Sequence, residues 1–358
     1  MGGRLDGLNF AIIITTAITR AVFTGRMLKK MNQGKKVVIV TTGGTIAMRY
    51  DPVLKSVVPA VTGPELVAAV PPLAEVGAVE VVEYANLPSP HITPAMMFAL
   101  AKRIDSILAQ PEVAGVVVTH GTDTLEETAF LFDLVLTSDK PVCLTAAMRS
   151  SAEISPDGPK NILCAVRTAF SALAVGQGVL VVVNEEIHAA REVTKTHSAN
   201  PKTFASPFWG PVGYVDEDRV IFRRQSLGRE KLQPTALVED VHLIKLVAGA
   251  DDFFFRCLVE KGVKGIVVEG FGRGNVPPAV VPGIEAALAA GIPVVLTTRV
   301  HGGRVLDVYG YEGGVIPLKN MGVLLAGEMS GQKARLKLML ALGLAADAAD
   351  LARYFERF

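Results

Sequence analysis

Short apolar runs alternate with amphipathic patterns along most of the chain. VVIVT at 37–41 is apolar on both alternating faces and closes on Gly-Gly. That reads as a strand buried on both sides of a parallel sheet. VEVVEYA at 79–85 predicts a second strand. A helix follows, with Thr93 as cap, Pro94 in the first turn, and Met97, Leu100, Ala101, Ile104 and Leu108 on one face. GVVVTH at 115–120 predicts the next strand, and a helix begins near Asp123 or Thr124. PVCLTA at 141–146 and GVLVVV at 178–183 predict further strands, with the helical run NILCAVRTAFSALA between them.

The pattern changes between about Phe208 and Pro234. GPVGYVDEDRVIFRR reads as a hairpin turning near Asp216 to Asp218. A second strand–helix series follows, with strands in VHLIKLVAG, KGIVVEGFG and IPVVLTTR. Helices are predicted after Asp251, in VVPGIEAALAAG and in GQKARLKLMLALG. The fold class is therefore α/β: a larger N-terminal domain with a mostly parallel sheet flanked by helices, then a smaller C-terminal α/β domain. The expected divisions are an N-terminal extension at 1–35, an N-terminal domain at 36–225, a linker at 226–240 and a C-terminal domain at 241–358.

Composition fits a globular chain: 358 residues, half of them apolar, with 34 Gly and 21 Pro. The 36 basic and 35 acidic residues leave a formal charge of +1. No broad positive field for nucleic acid arises from that balance. The basic stretches, 223–231 and Lys333, Arg335, Lys337, read as exposed linker or helix faces. Cys143, Cys164 and Cys257 lie in apolar runs without CxxC spacing, which reads as buried free thiols. Six histidines form no metal-binding pattern, and no metal or organic cofactor is expected. Phe10 to Ile18 is too short to span a bilayer. Residues 1–30 read as a loose leader or an over-long start, and the expected placement is cytoplasmic, with no stable membrane insertion.

Three stretches offer chemistry. TTGGTIA at 41–47 ends a strand in a sharp glycine turn, which would aim Thr45 into the crevice beyond the strand ends. Its competing reading is a plain turn, since neither phosphate-loop spacing is present. THGTDT at 119–124 places Thr122 and Asp123 at another strand end. Helix capping is the competing reading, but capping needs one such residue and several are present. His120 reads as a hydrogen-bonded structural group. EVTKTH at 192–197 puts Lys195 among hydroxyl residues, where a desolvated amine can serve as base to a threonine. Most lone lysines are simply solvated.

Together, TTGGTIA, HGTDTLEETAFLFDL, KPVCLTAAMRSSAEISPDGPKNI and EVTKTH resemble the bacterial-type L-asparaginase family. The resemblance covers about residues 36–343. It implies hydrolysis of asparagine to aspartate and ammonia, in dimers that pair into tetramers with sites completed across subunits. It implies that Thr45 is the nucleophile, that Thr122 and Lys195 form a second catalytic group, and that Asp123 grips the substrate α-ammonium. Ser89 falls where the α-carboxylate is bound. Asn275 and Glu312 fall where a neighbouring subunit approaches the substrate amine, with Asp307 a weaker choice of acid. One departure stands out: Val57 and Val58 occupy the place of a lid tyrosine, and Tyr50 is the nearest alternative. Competing functions are a glutaminase or amidotransferase-type amidohydrolase, and a non-catalytic amino-acid-binding protein of the same fold.

Overall fold

The computed structural model describes residues 34–227 and 229–356. The reading of the extreme N-terminus as leader or over-long start lies outside the described residues. Strand β1, Lys36–Gly43, is the predicted first strand lengthened at both ends. Val37, Val38, Ile39 and Val40 are buried, each side chain contributing about 1.5–3 kcal/mol on leaving water. A small antiparallel pair follows, β2 (Met48–Asp51) and β3 (Ser56–Pro59). Then come β4 (Ala78–Leu87), β5 (Val113–Thr119), β6 (Val142–Thr145), β7 (Val179–Val183) and β8 (Glu186–Ala189). Two-residue strands β9 (Thr194–Lys195) and β10 (Phe204–Ala205) pair with each other. The hairpin β11 (Gly213–Asp216) and β12 (Arg219–Phe222) closes the first half, with Glu217 in the left-handed region at its tip.

The large sheet has the order β12-β11-β8-β7-β6-β5-β1-β4. The run from β4 at one edge to β7 is parallel, and β8, β11 and β12 are antiparallel. The second sheet holds β13 (Val241–Lys245), β14 (Gly265–Gly270), β15 (Val294–Thr298) and β16 (Leu324–Leu325), all parallel. Both predicted sheets and the hairpin are present. The Pro94–Leu108 helix takes its Thr93 cap as expected, and its five predicted facing residues are buried.

The helix Gly331–Ala341 joins the two halves. It packs on the small sheet and on the Leu125–Val135 helix of the large one. One apolar core accordingly contains residues of both, from Phe130 and Leu134 to Leu336 and Leu340. This corrects the reading of the 333–337 lysines as an exposed face: Lys333 and Lys337 are buried. The 331–341 helix is covered on most sides, so its lysines reach inward to acceptors. Lys337 Nζ meets Glu230 Oε2 at 2.6 Å. The expected linker is also tied down, because Lys231 Nζ donates to Asp133 O and Leu232 N to Leu134 O. Cys143 and Cys164 are buried as expected, but Cys257 is exposed. Its helix, Phe253–Lys261, buries Phe255 and leaves Phe253 and Phe254 on the surface.

Candidate active site

Parallel strands β1, β4 and β5 end at one edge of the large sheet, and three loops meet there. Gly43 and Gly44 turn the chain after β1 with φ of 104° and 81°. A side chain at Gly44 would put its Cβ 2.3 Å from the Gly121 Cα, and one at Gly121 would strike Ser89. Glycine is required because backbones touch. The contact sets Thr45, first residue of a 3-10 turn, beside the loop that carries Thr122 and Asp123. Thr45 is half-buried.

Ser89 is buried and bonds the same loop twice. Its hydroxyl accepts from Asp123 N at 3.2 Å, and its carbonyl accepts from Thr124 Oγ1 at 2.9 Å. Thr124 heads the Leu125–Val135 helix but makes no side-chain cap. The excess of polar residues in THGTDT thus goes to cross-loop bonds rather than to capping. His120 is fully buried; Nδ1–H donates to Gly121 O at 2.8 Å and Nε2 accepts from Thr128 Oγ1 at 3.0 Å. Burial pulls its pKa down to about 4, so the ring is neutral and structural at neutral pH.

Lys195 reaches this loop from β9. Its Nζ donates to Thr122 Oγ1 at 2.9 Å and to Asp123 Oδ1 at 2.7 Å. Thr122 is 7% exposed, and the Lys195 side chain is 15% exposed. The Asp123 side chain is 61% exposed, with Oδ2 free of hydrogen bonds among the described residues. Such a carboxylate can take an ammonium group from solvent while it holds Lys195. No hydrogen bond joins Thr45 to Thr122 or Lys195 among the described residues. A weak hydroxyl nucleophile, a hydroxyl–amine pair and an open carboxylate on one edge suit acyl transfer.

The C-terminal candidates stand apart from the cluster: no hydrogen bond or ion pair links them to it among the described residues. Asn275 follows β14 and pairs by backbone with Phe271. Its Oδ1 is buried without a hydrogen-bond partner, a state that costs about 1–3 kcal/mol until a donor arrives. Glu312 is exposed and follows Tyr311, whose ring lies tilted against that of Tyr309. Asp307 is paired with Lys319 Nζ at 2.6 Å. Tyr50 pairs in register with Val57 across β2 and β3, while the side chains of both lie outside the described parts. Among the described residues, no three His, Cys, Asp or Glu side chains are grouped to hold a metal ion.

Sequence reasoning missed two sets of groups. Glu126 is a buried carboxylate that accepts from Lys195 N at 3.0 Å. Asp157 takes Met148 N and Arg149 N, while Asn161 bonds Ala146 O and Asn184 N. Those two residues of the DGP-N motif pin the loop after β6. The signal was the acid doublet behind THGTDT and the motif itself, both visible but without an assigned task.

Residues 36–227 match the family described as asparaginase, N-terminal, and residues 240–355 match the glutaminase/asparaginase C-terminal domain. An L-asparaginase of Bacillus licheniformis is 39% identical over 308 residues, covering 86% of this chain and 95% of that protein. A glutaminase-asparaginase of Acinetobacter glutaminasificans is 34% identical, covering 90% and 99%. The crystal structure of a probable cytoplasmic L-asparaginase from Campylobacter jejuni matches with a TM-score of 0.82 at 34% identity, covering 90% of this chain and 100% of that one. The glycine turn, the hydroxyl-rich loop and the lysine thus sit in a chain matched by family domains across both halves, and the chain belongs to the asparaginase family.

Proposed function

We propose that the chain hydrolyses L-asparagine to L-aspartate and ammonia through an acyl-threonine intermediate. The observation that carries this reading is the bonding of Lys195 to both Thr122 and Asp123 beside the Thr45 turn, in a chain of this family. Thr45 Oγ1 attacks the side-chain amide carbon. Its proton passes to the Thr122–Lys195 pair and on to the leaving nitrogen, which departs as ammonia. Water then attacks the ester carbon, releases aspartate and returns the proton to Thr45. Thr122 and the turn amides face the developing oxyanion, where one donor is worth about 3–4 kcal/mol.

Asp123 Oδ2 takes the substrate α-ammonium, and Ser89 lies on the α-carboxylate side. Asn275 and Glu312 complete the amine pocket of a neighbouring copy in a homodimer or homotetramer. The Asn275 oxygen and Glu312, both without a hydrogen-bond or ion-pair partner among the described residues, support that assignment. Glutamine is the second substrate to consider, because one methylene changes pocket affinity by only about 1–3 kcal/mol and a relative is named glutaminase-asparaginase. A cytoplasmic placement is supported by the Campylobacter neighbour, whereas a Haemophilus influenzae relative is named periplasmic. Cell fractionation separates the two. Ammonia release from asparagine, glutamine and D-asparagine tests the activity; none from any substrate would favour a binding protein.

A further inference from the structure

Lys195 sits on a short strand. β9 has two residues, paired as Phe204 opposite Lys195 and Ala205 opposite Thr194, and Thr196 N continues the pairing by donating to Thr203 O. Catalysis through Thr122 nevertheless requires the amine to be fixed within hydrogen-bond reach, since a 1 Å misplacement costs about a hundredfold in rate. Further fixing bonds come from Glu126 in the same half and from the Gly331–Ala341 helix of the other half.

Glu126 is 6% exposed, and both of its carboxylate oxygens are engaged. Oε2 accepts from Lys195 N at 3.0 Å, and Oε1 accepts from Gln332 Nε2 at 2.8 Å. Gln332 lies in the first turn of the Gly331–Ala341 helix. The next residue, Lys333, is 4% exposed and sends its Nζ into the chain just ahead of β9. It donates to Ala190 O at 3.0 Å, Arg191 O at 3.1 Å and Val193 O at 2.7 Å. An ammonium has three protons, and three carbonyls receive them. Adjacent residues of one helix therefore reach the Lys195 segment, Lys333 directly and Gln332 through Glu126.

We propose that Gln332 and Lys333, acting with Glu126, are positioning residues that hold Lys195 within reach of Thr122, so that the C-terminal half sets the catalytic geometry of the N-terminal half. The inference rests on the reading of Lys195 as catalytic. None of the three makes a hydrogen bond to Thr45, Thr122 or Asp123 among the described residues. Their effect is expected in turnover, while Asp123 and Ser89 still bind the substrate.

The test is steady-state ammonia release from asparagine by full-length variants, well below their unfolding temperatures. Gln332→Met keeps the volume and removes the donor; Glu126→Met removes both acceptors. Each should lower kcat about tenfold or more and change KM less than about threefold. Glu126→Gln still accepts from Lys195 N and can donate to a turned Gln332 amide, so it should recover most of the kcat lost in Glu126→Met. Lys333→Met should also lose turnover, and Gln332→Met keeps the idea testable if that variant fails to fold. Wild-type kcat in both Gln332→Met and Glu126→Met, beside an inactive Lys195→Met, would overturn this inference alone. Wild-type turnover in Lys195→Met would overturn the parent reading and this one together.

Discussion

The Lys195 Nζ lies 2.9 Å from the Thr122 hydroxyl oxygen, across 73 residues of sequence. A proton carrier beside a hydroxyl is what an amide hydrolase requires, because neither threonine nor amide reacts readily unaided. Lys195→Met and Thr122→Val should each lower kcat by about 10²–10⁴-fold. Thermal unfolding should shift little, because the Asp123 carboxylate left behind by Lys195→Met is 61% exposed and finds water. Folded variants with normal turnover would remove the pair from the mechanism.

Asp123 offers a separable binding test. Asp123→Asn keeps a hydrogen-bond acceptor for Lys195 but removes the charge that faces the substrate ammonium. KM for asparagine should rise about 10–100-fold, the range of one charge-assisted bond, with a smaller change in kcat. A KM equal to the wild type would assign the ammonium to another group, with Glu312 of a neighbouring copy the first to examine.

Gly44 distinguishes close backbone approach from ordinary turn freedom. Gly176 also has positive φ, 75°, but a side chain there meets nothing within 4 Å. Gly176→Ala should cost about 1–2 kcal/mol of backbone strain. Gly44→Ala adds a collision with the Gly121 backbone and should cost about 3 kcal/mol or more, with loss of activity. Denaturant titration of the two variants measures the difference. Equal losses would mean that the turn and the Thr122 loop are not locked together.

His120 predicts an acid limit to stability. Burial lowers its pKa from 6.5 to about 4 in the folded chain. As pH falls through that window the unfolded chain takes up a proton before the folded chain does. The stability present above pH 6.5 is therefore lost progressively toward pH 4, by about 3 kcal/mol for this group. His120→Gln removes the titration, so urea midpoints measured from pH 7 to pH 4.5 should fall less steeply than in the wild type. Parallel declines would show that His120 does not set this dependence.

The sheets were legible because β1, β5 and β7 are apolar on both faces and end in turn residues. Thr45, Thr122, Asp123 and Lys195 each stood out as a polar group just beyond such a run, yet no spacing rule joins residues 45, 122 and 195. Their grouping came from the family resemblance, and the structure brings Lys195 onto Thr122 and Asp123. Glu126 escaped notice because an acid in a first helical turn normally answers the helix dipole, and its partners stand 69 and 206 residues away. Lys333 and Lys337 were misread for a similar reason. A lysine on a helix is usually solvated, and only the packing of that helix between two layers shows these two to be buried.

Thr45 carries the central claim. Ammonia release from asparagine by purified Thr45→Ala, with its fold checked by circular dichroism and thermal unfolding, tests that claim most directly. The hydroxyl makes no bond to Thr122 or Lys195, so its loss should leave the fold intact while turnover falls by about 10³-fold or more. A folded Thr45→Ala protein that releases ammonia at the wild-type rate would contradict the account.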